Sequence, residues 1–111
     1  MLHPHLRPQL PGLLALCQRF GVQQLYLFGS AVTERFDPAR SDVDALVSFP
    51  PDLDPLDRGQ RLLDLWDALE ALFGRRVDVV TPESIRNPIF RLEVEETKEL
   101  IYEPTHSQVA G

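Results

Sequence analysis

The chain has 111 residues, a length that accommodates one hydrophobic core and is too short for two full domains. With 43% hydrophobic and 25% charged residues its composition is that of a globular protein, which excludes global disorder. A net charge of -6 repels phosphate backbones, so long DNA or RNA is not an expected partner. Arg75 and Arg76 are adjacent, and Arg35, Arg40, Arg58 and Arg61 could join them, but such residues read as a solvated surface. No run approaches the roughly 18 apolar residues of a membrane span. The start, Met1-Leu2-His3-Pro4-His5, lacks the apolar segment of a secretion signal, so a cytoplasmic location without a membrane partner is expected.

In chain order, residues 1 to 8 carry two prolines and two histidines with little periodicity and read as a loose entry, with His3 and His5 at the surface. A helix follows over about 9 to 20 and stops at Gly21. Cys17 lies within it among Leu13, Leu14, Leu16 and Phe20, which marks a buried thiol with no disulfide partner and no metal-binding spacing. Gln24-Leu25-Tyr26-Leu27-Phe28 is a β-prone run that halts at Gly29-Ser30, and Val43 to Phe49 forms a second strand ended by Pro50-Pro51. From Asp57 to Phe73, Leu62, Leu65, Trp66, Leu69, Leu72 and Phe73 recur at helical spacing, with Asp64, Asp67 and Glu70 turned away. Gly74 closes that helix. A third strand spans Arg76 to Val80, Thr81-Pro82 and Asn87-Pro88 each read as a cap plus first helical position, and Leu100-Ile101-Tyr102 reads as an edge strand or packed tail. The segment from Pro104 onward is polar enough to be loose.

The chemistry lies in Leu27-Phe28-Gly29-Ser30 and, beyond residues 31 to 41, Asp42-Val43-Asp44 at the opening of the second strand. Side chains alternate along a strand, so Asp42 and Asp44 project to one side about 7 Å apart, near enough for both carboxylates to meet one cation. Val43, Ala45 and Val47 face the other way. Paired aspartates suit Mg²⁺, which takes oxygen ligands and completes its shell with water and substrate phosphates, so a nucleoside triphosphate substrate is predicted. In the third strand Asp78 interrupts the apolar run Val77 to Val80, where an unpaired carboxylate costs several kcal/mol unless a metal, a proton or a catalytic task accounts for it. Gly29 lets the backbone approach phosphate oxygens, and Ser30 adds a hydroxyl. Taken one at a time, these residues also have structural readings: Asp42 as a turn cap, Ser41 as an ordinary loop residue, Asp44 paired with Arg40 and Asp78 with Arg76.

With these motifs the sequence resembles the minimal nucleotidyltransferase (MNT) family, a branch of the DNA polymerase β-like nucleotidyltransferase superfamily. The resemblance covers about residues 10 to 103, through Leu25 to Ser30, Arg40 to Val47, Arg75 to Val80 and an Asn-Pro-led helix ending in Leu-Ile-Tyr-Glu at 100 to 103. It implies an α/β (α+β) fold, a small mixed β-sheet flanked by helices as in the polymerase β palm, formed by one domain over 1–111. It also implies that Asp42 and Asp44 hold two Mg²⁺ ions with Asp78 as third carboxylate, and that Gly29, Ser30 and Ser41 line the nucleotide site. Family members act as antitoxins that transfer AMP from ATP to a tyrosine of a HEPN-domain ribonuclease toxin, so ATP and such a toxin are the implied substrate and partner. The loop after Ser30 is one residue longer than the family's usual spacing, and Ala31 to Phe36 replace its small-basic-glycine pattern.

The implied reaction is in-line attack of a tyrosine oxygen on the α-phosphate, with Asp78 orienting or deprotonating the hydroxyl. Two other functions fit the same residues. One is a non-catalytic antitoxin that neutralises its toxin by covering it, although a pure binding module has no need of three carboxylates. The other is transfer to a small molecule, which the short stretch after the third strand disfavours because it leaves no room for an acceptor-binding domain.

Overall fold

Alternation of apolar residues along three short runs builds the sheet. The computed structural model of the chain describes residues 2–104. Strand β1 (Gln24–Phe28) pairs antiparallel with β2 (Val43–Ser48), which pairs parallel with β3 (Val77–Val80). The edge strand β4 (Glu99–Tyr102) adds antiparallel to the free side of β1, giving a mixed sheet in the order β3-β2-β1-β4. Helix α1 (Leu10–Arg19) precedes the sheet, α2 (Pro55–Phe73) connects β2 to β3, and α3 (Pro88–Thr97) precedes β4. A parallel neighbour cannot be reached by a tight turn, which is why the longest helix lies between β2 and β3.

Leu25 and Leu27 of β1, Val43, Ala45 and Val47 of β2, and Val77 and Val79 of β3 are buried against Leu13 and Cys17 of α1 and Leu65, Leu69 and Phe73 of α2. Burial pushes the Cys17 thiol up to about 12, so it stays protonated and acts as a small apolar side chain. The opposite face is covered more sparsely: Phe28, Leu46, Ile85 and Val94 form a small second cluster, with Phe90 edge-on to Phe28 at 5.9 Å. Asp44 and Asp78 alternate onto this thinly covered face, beside Leu46 and Val80.

Helix α2 begins at Pro55, ahead of the expected Asp57, because Asp54 caps it by accepting from Leu56 N at 3.1 Å; it ends as expected at Gly74, in the left-handed region at φ 62°. Asn87 caps α3, its Oδ1 accepting from Ile89 N at 2.8 Å and Phe90 N at 3.3 Å. The loose entry expected before α1 is instead ordered, although His5 is exposed as expected. Residues Pro4–Gln9 form a 3-10 segment whose Leu6 is buried in the main core, and the half-buried His3 ring lies 5.1 Å from Phe36. Proline pre-sets the backbone for such a turn, and Leu6 supplies the burial that orders it.

Glu70 also departs from its expected outward position. Its Oε2 accepts from Val77 N at 3.0 Å, while Trp66 Nε1 donates to Val77 O at 2.6 Å. These two side chains of α2 thus satisfy both backbone groups of one edge-strand residue, each bond contributing about 1 kcal/mol, and fix where β3 begins. Three of the arginines are engaged locally: Arg58 donates to Leu53 O at 2.9 Å, Arg61 to Phe20 O at 3.2 Å and Arg75 to Ser41 O at 3.0 Å. Among the described residues no helix is long and apolar enough to cross a membrane. The tail expected to be loose from Pro104 lies, beyond that residue, outside the described residues.

Candidate active site

Three strand ends meet on the thinly covered face of the sheet. Strand β1 must stop and turn sharply at Gly29, whose φ of 68° lies in the left-handed region that costs a residue with a Cβ roughly 1–2 kcal/mol. A single 3-10 turn, Gly29–Val32, follows directly and carries Ser30. Register then aligns the acids: Phe28 lies opposite Asp44 across β1 and β2, and Asp44 lies opposite Asp78 across β2 and β3. A Cβ on Gly29 would stand 2.8 Å from Asp44 Oδ2, so the bare glycine is what lets the turn approach that carboxylate.

Asp42 sits one residue before β2 and Arg76 one residue before β3, and Val43 N donates to Arg76 O at 3.1 Å between them. The Arg76 Nε lies 3.8 Å from Asp42 Oδ2 and 3.6 Å from Asp78 Oδ1. With its side chain 72% exposed, this guanidinium gains little from either pair and is easily displaced. Asp44 is more enclosed. Burial first, and then the negative charges of Asp78, Asp42 and Glu93, push its carboxyl up to about 6.

Such an array suits a hard divalent cation: the donors are carboxylate oxygens, they repel one another, and a cation already lies between two of them in the form of Arg76. As they stand, no three acidic, histidine or cysteine side chains among the described residues are gathered tightly enough to enclose a metal ion. A cleft of about 420 Å³ lined by residues 2–4, 7 and 32–34 includes none of the three aspartates in its lining.

Sequence reasoning placed Asp42, Asp44 and Asp78 near one another, and the structure sets Asp44 between Gly29 and Asp78 and Arg76 between Asp78 and Asp42, with Ser30 the next residue of the turn. Ser41 is adjacent but committed to the loop: its Oγ accepts from Asp37 N at 2.9 Å, and its carbonyl accepts from Arg75. The Gly29 amide is likewise engaged, donating to Thr97 Oγ1 at 3.0 Å. Glu93 and Thr97, both on α3, were missed. Glu93 reads as a solvated position of an amphipathic helix, and the contact of Thr97 with a turn far away in sequence leaves no local signal.

Residues 13–102 match the nucleotidyltransferase domain family. The protein adenylyltransferase MntA of Thermococcus cleftensis is 36% identical over 81 residues, which cover 73% of this chain and 77% of that protein. A solved chain assigned as a minimal nucleotidyltransferase is 31% identical, with a TM-score of 0.62 over 89% of this chain and 95% of its own. A chain from the complex of a tri-AMPylated Shewanella oneidensis HEPN toxin with its MNT antitoxin has 20% identity and a TM-score of 0.55, over 94% of this chain and 77% of its own. At that identity the likeness is one of fold.

Proposed function

This chain belongs to the nucleotidyltransferase domain family, and we propose that it is a protein adenylyltransferase, the antitoxin of a HEPN/MNT pair, transferring AMP from ATP to a tyrosine of a HEPN-domain toxin. The observation that carries this reading is the abutment of the Gly29 turn on Asp44, which is itself in register with Asp78. A turn that opens on a residue without a side chain, set against a row of carboxylates, is an arrangement for bringing phosphates and acids together, which their charges otherwise oppose.

In this reading the chain acts in the cytoplasm as a single domain. Asp42 and Asp44 hold two Mg²⁺ ions, with Asp78 as the third carboxylate, and Ser30 contacts the triphosphate with Ser41 beside it. Bound there, the ions supply positive charge against the triphosphate and against the charge that develops as the reaction proceeds. The tyrosine oxygen forms a bond to the α-phosphorus, the bond from that phosphorus to the bridging oxygen of the β-phosphate breaks, and pyrophosphate leaves. Asp78 orients the phenol and takes its proton, a role that its place at the exposed outer edge of the site permits. Gly29 contributes by conformation, since any side chain there would collide with Asp44.

Intact-mass measurement tests this. A HEPN-domain partner from the chain's own genome, incubated with the protein, ATP and Mg²⁺, gains the mass of one or more AMP groups, and the gain disappears with the Asp42→Ala, Asp44→Ala double variant. A partner that stays unmodified yet is inhibited equally by both forms would leave neutralisation by binding alone.

A further inference from the structure

Helix α3 ends with a side chain that belongs to the nucleotide turn as much as to the helix. Thr97 Oγ1 accepts from Gly29 N at 3.0 Å and donates to Glu93 O at 2.9 Å, so both polar capacities of one half-buried hydroxyl are directed. The second bond is the backward i to i-4 contact open to threonine in a helix, and it aims the oxygen lone pair outward at Gly29. Lys98, the next residue, anchors the same helix end, with Nζ 4.8 Å from the Tyr26 ring centre and 2.8 Å from Glu95 Oε1. The hydroxyl is therefore held by an element fixed to the sheet.

Gly29 is the residue at which the chain enters the left-handed region, and its N–H belongs to the peptide joining it to β1. Pinning that peptide sets the direction in which the next residues leave the strand, and so where the Ser30 amide and hydroxyl lie relative to Asp44. A turn free to adopt other glycine conformations would have to be ordered by each incoming nucleotide. We infer that Thr97 is a positioning residue for the triphosphate, preorganising the Gly29-Ser30 turn through its hydroxyl without touching the nucleotide itself. This rests on the proposed nucleotidyl-transfer reading but makes a prediction about nucleotide affinity that transfer is not needed to test.

The experiment compares the wild-type protein with Thr97→Val, which keeps the shape and removes the hydroxyl, and Thr97→Ser, which keeps the hydroxyl. Calorimetric affinity for Mg²⁺ and AMP-PNP is expected to fall about tenfold in Thr97→Val and to stay within about twofold of wild type in Thr97→Ser. At saturating ATP the transfer rate of Thr97→Val stays within about threefold of wild type, a KM effect with kcat spared. Equal affinity in Thr97→Val and wild type would overturn the inference, as would a Thr97→Ser variant as impaired as Thr97→Val. If Thr97→Val does not fold, hydrogen exchange at the Gly29 amide of the wild type decides: protection supports the bond and exchange at the free-peptide rate refutes it. A wild type that binds AMP-PNP in a Thr97-dependent way but transfers nothing would sink the transfer reading and leave this inference standing. Failure to bind nucleotide at all would overturn both.

Discussion

Replacing Asp44 by asparagine is expected to abolish nucleotidyl transfer while making the metal-free protein more stable at neutral pH. The two effects share one cause. Asp44 is enclosed beside Asp78, Asp42 and Glu93, and its carboxyl is pushed up from 3.8 to about 6. Between those two values the folded protein binds more protons than the unfolded chain, so this group's contribution to stability falls as pH rises through the window. Above about pH 6 the full cost is present; below the unfolded value it is gone. A shift of this size corresponds to about 3 kcal/mol at most, and to roughly 1–2 kcal/mol once solvent screening at a partly exposed group is allowed for. In chelator at pH 8, Asp44→Asn is therefore expected to raise the melting temperature by about 5–10 °C, with the difference shrinking toward zero near pH 4. Transfer activity of the same variant falls by about a hundredfold or more, the scale of losing a ligand that stabilises developing charge. A variant that is inactive and also less stable at pH 8 would show Asp44 to be a structural residue, not a strained functional one.

Gly29→Ala carries the second large effect. Its backbone must stay at φ 68° or rearrange, a strain of roughly 1–2 kcal/mol, and its new Cβ meets Asp44 Oδ2 at 2.8 Å. The carboxylate is the movable partner, so the collision is relieved by displacing Asp44 from its place between the Gly29 turn and Asp78, which disables the site. Chemical denaturation is expected to show a loss of about 2–3 kcal/mol, with transfer falling by about a hundredfold. An Asp44→Ala background separates the two components: with the carboxylate removed, Gly29→Ala should cost only the backbone strain, leaving a coupling of about 1 kcal/mol between the positions. An unchanged cost in that background would mean that the two residues do not meet.

Much of this arrangement was legible because it is written in local signals. The stop at Gly29, the left-handed stop at Gly74 and the Asn87-Pro88 cap are single-residue consequences of backbone chemistry, and alternation alone placed Val43, Ala45 and Val47 on the face opposite the aspartates, which proves to be the core face. Asp78 stood out because an acid in an apolar strand demands an explanation. Where local signals ended, so did legibility. The ordered segment at Pro4–Gln9 depends on Leu6 finding a place in a core built by later residues. Glu70 and Trp66 hold Val77 across a helix–strand junction, and Arg76 lies between two acids where pairing with Asp78 alone was foreseen. Thr97 reaches Gly29 only because β4 pairs with β1 and brings the end of α3 to the turn. Such contacts have no spacing to read, since they exist only once the sheet has formed.

The shared logic is a division of labour between the two faces of the sheet. One face is packed by α1 and α2 and holds the strands in register; the other is left thin enough for Asp44 and Asp78 to remain reachable. Charge concentration on that second face opposes folding slightly, and the well-packed first face offsets it.

Label transfer from ATP tests this most directly. With the HEPN-domain partner, Mg²⁺ and ATP radiolabelled at either the α- or the γ-phosphate, the α-label alone should become protein-bound, and only when Asp42 and Asp44 are intact. Protein-bound γ-label would reveal phosphoryl transfer, and no bound label of either kind alongside full neutralisation of the partner would show that the carboxylates serve no transfer reaction.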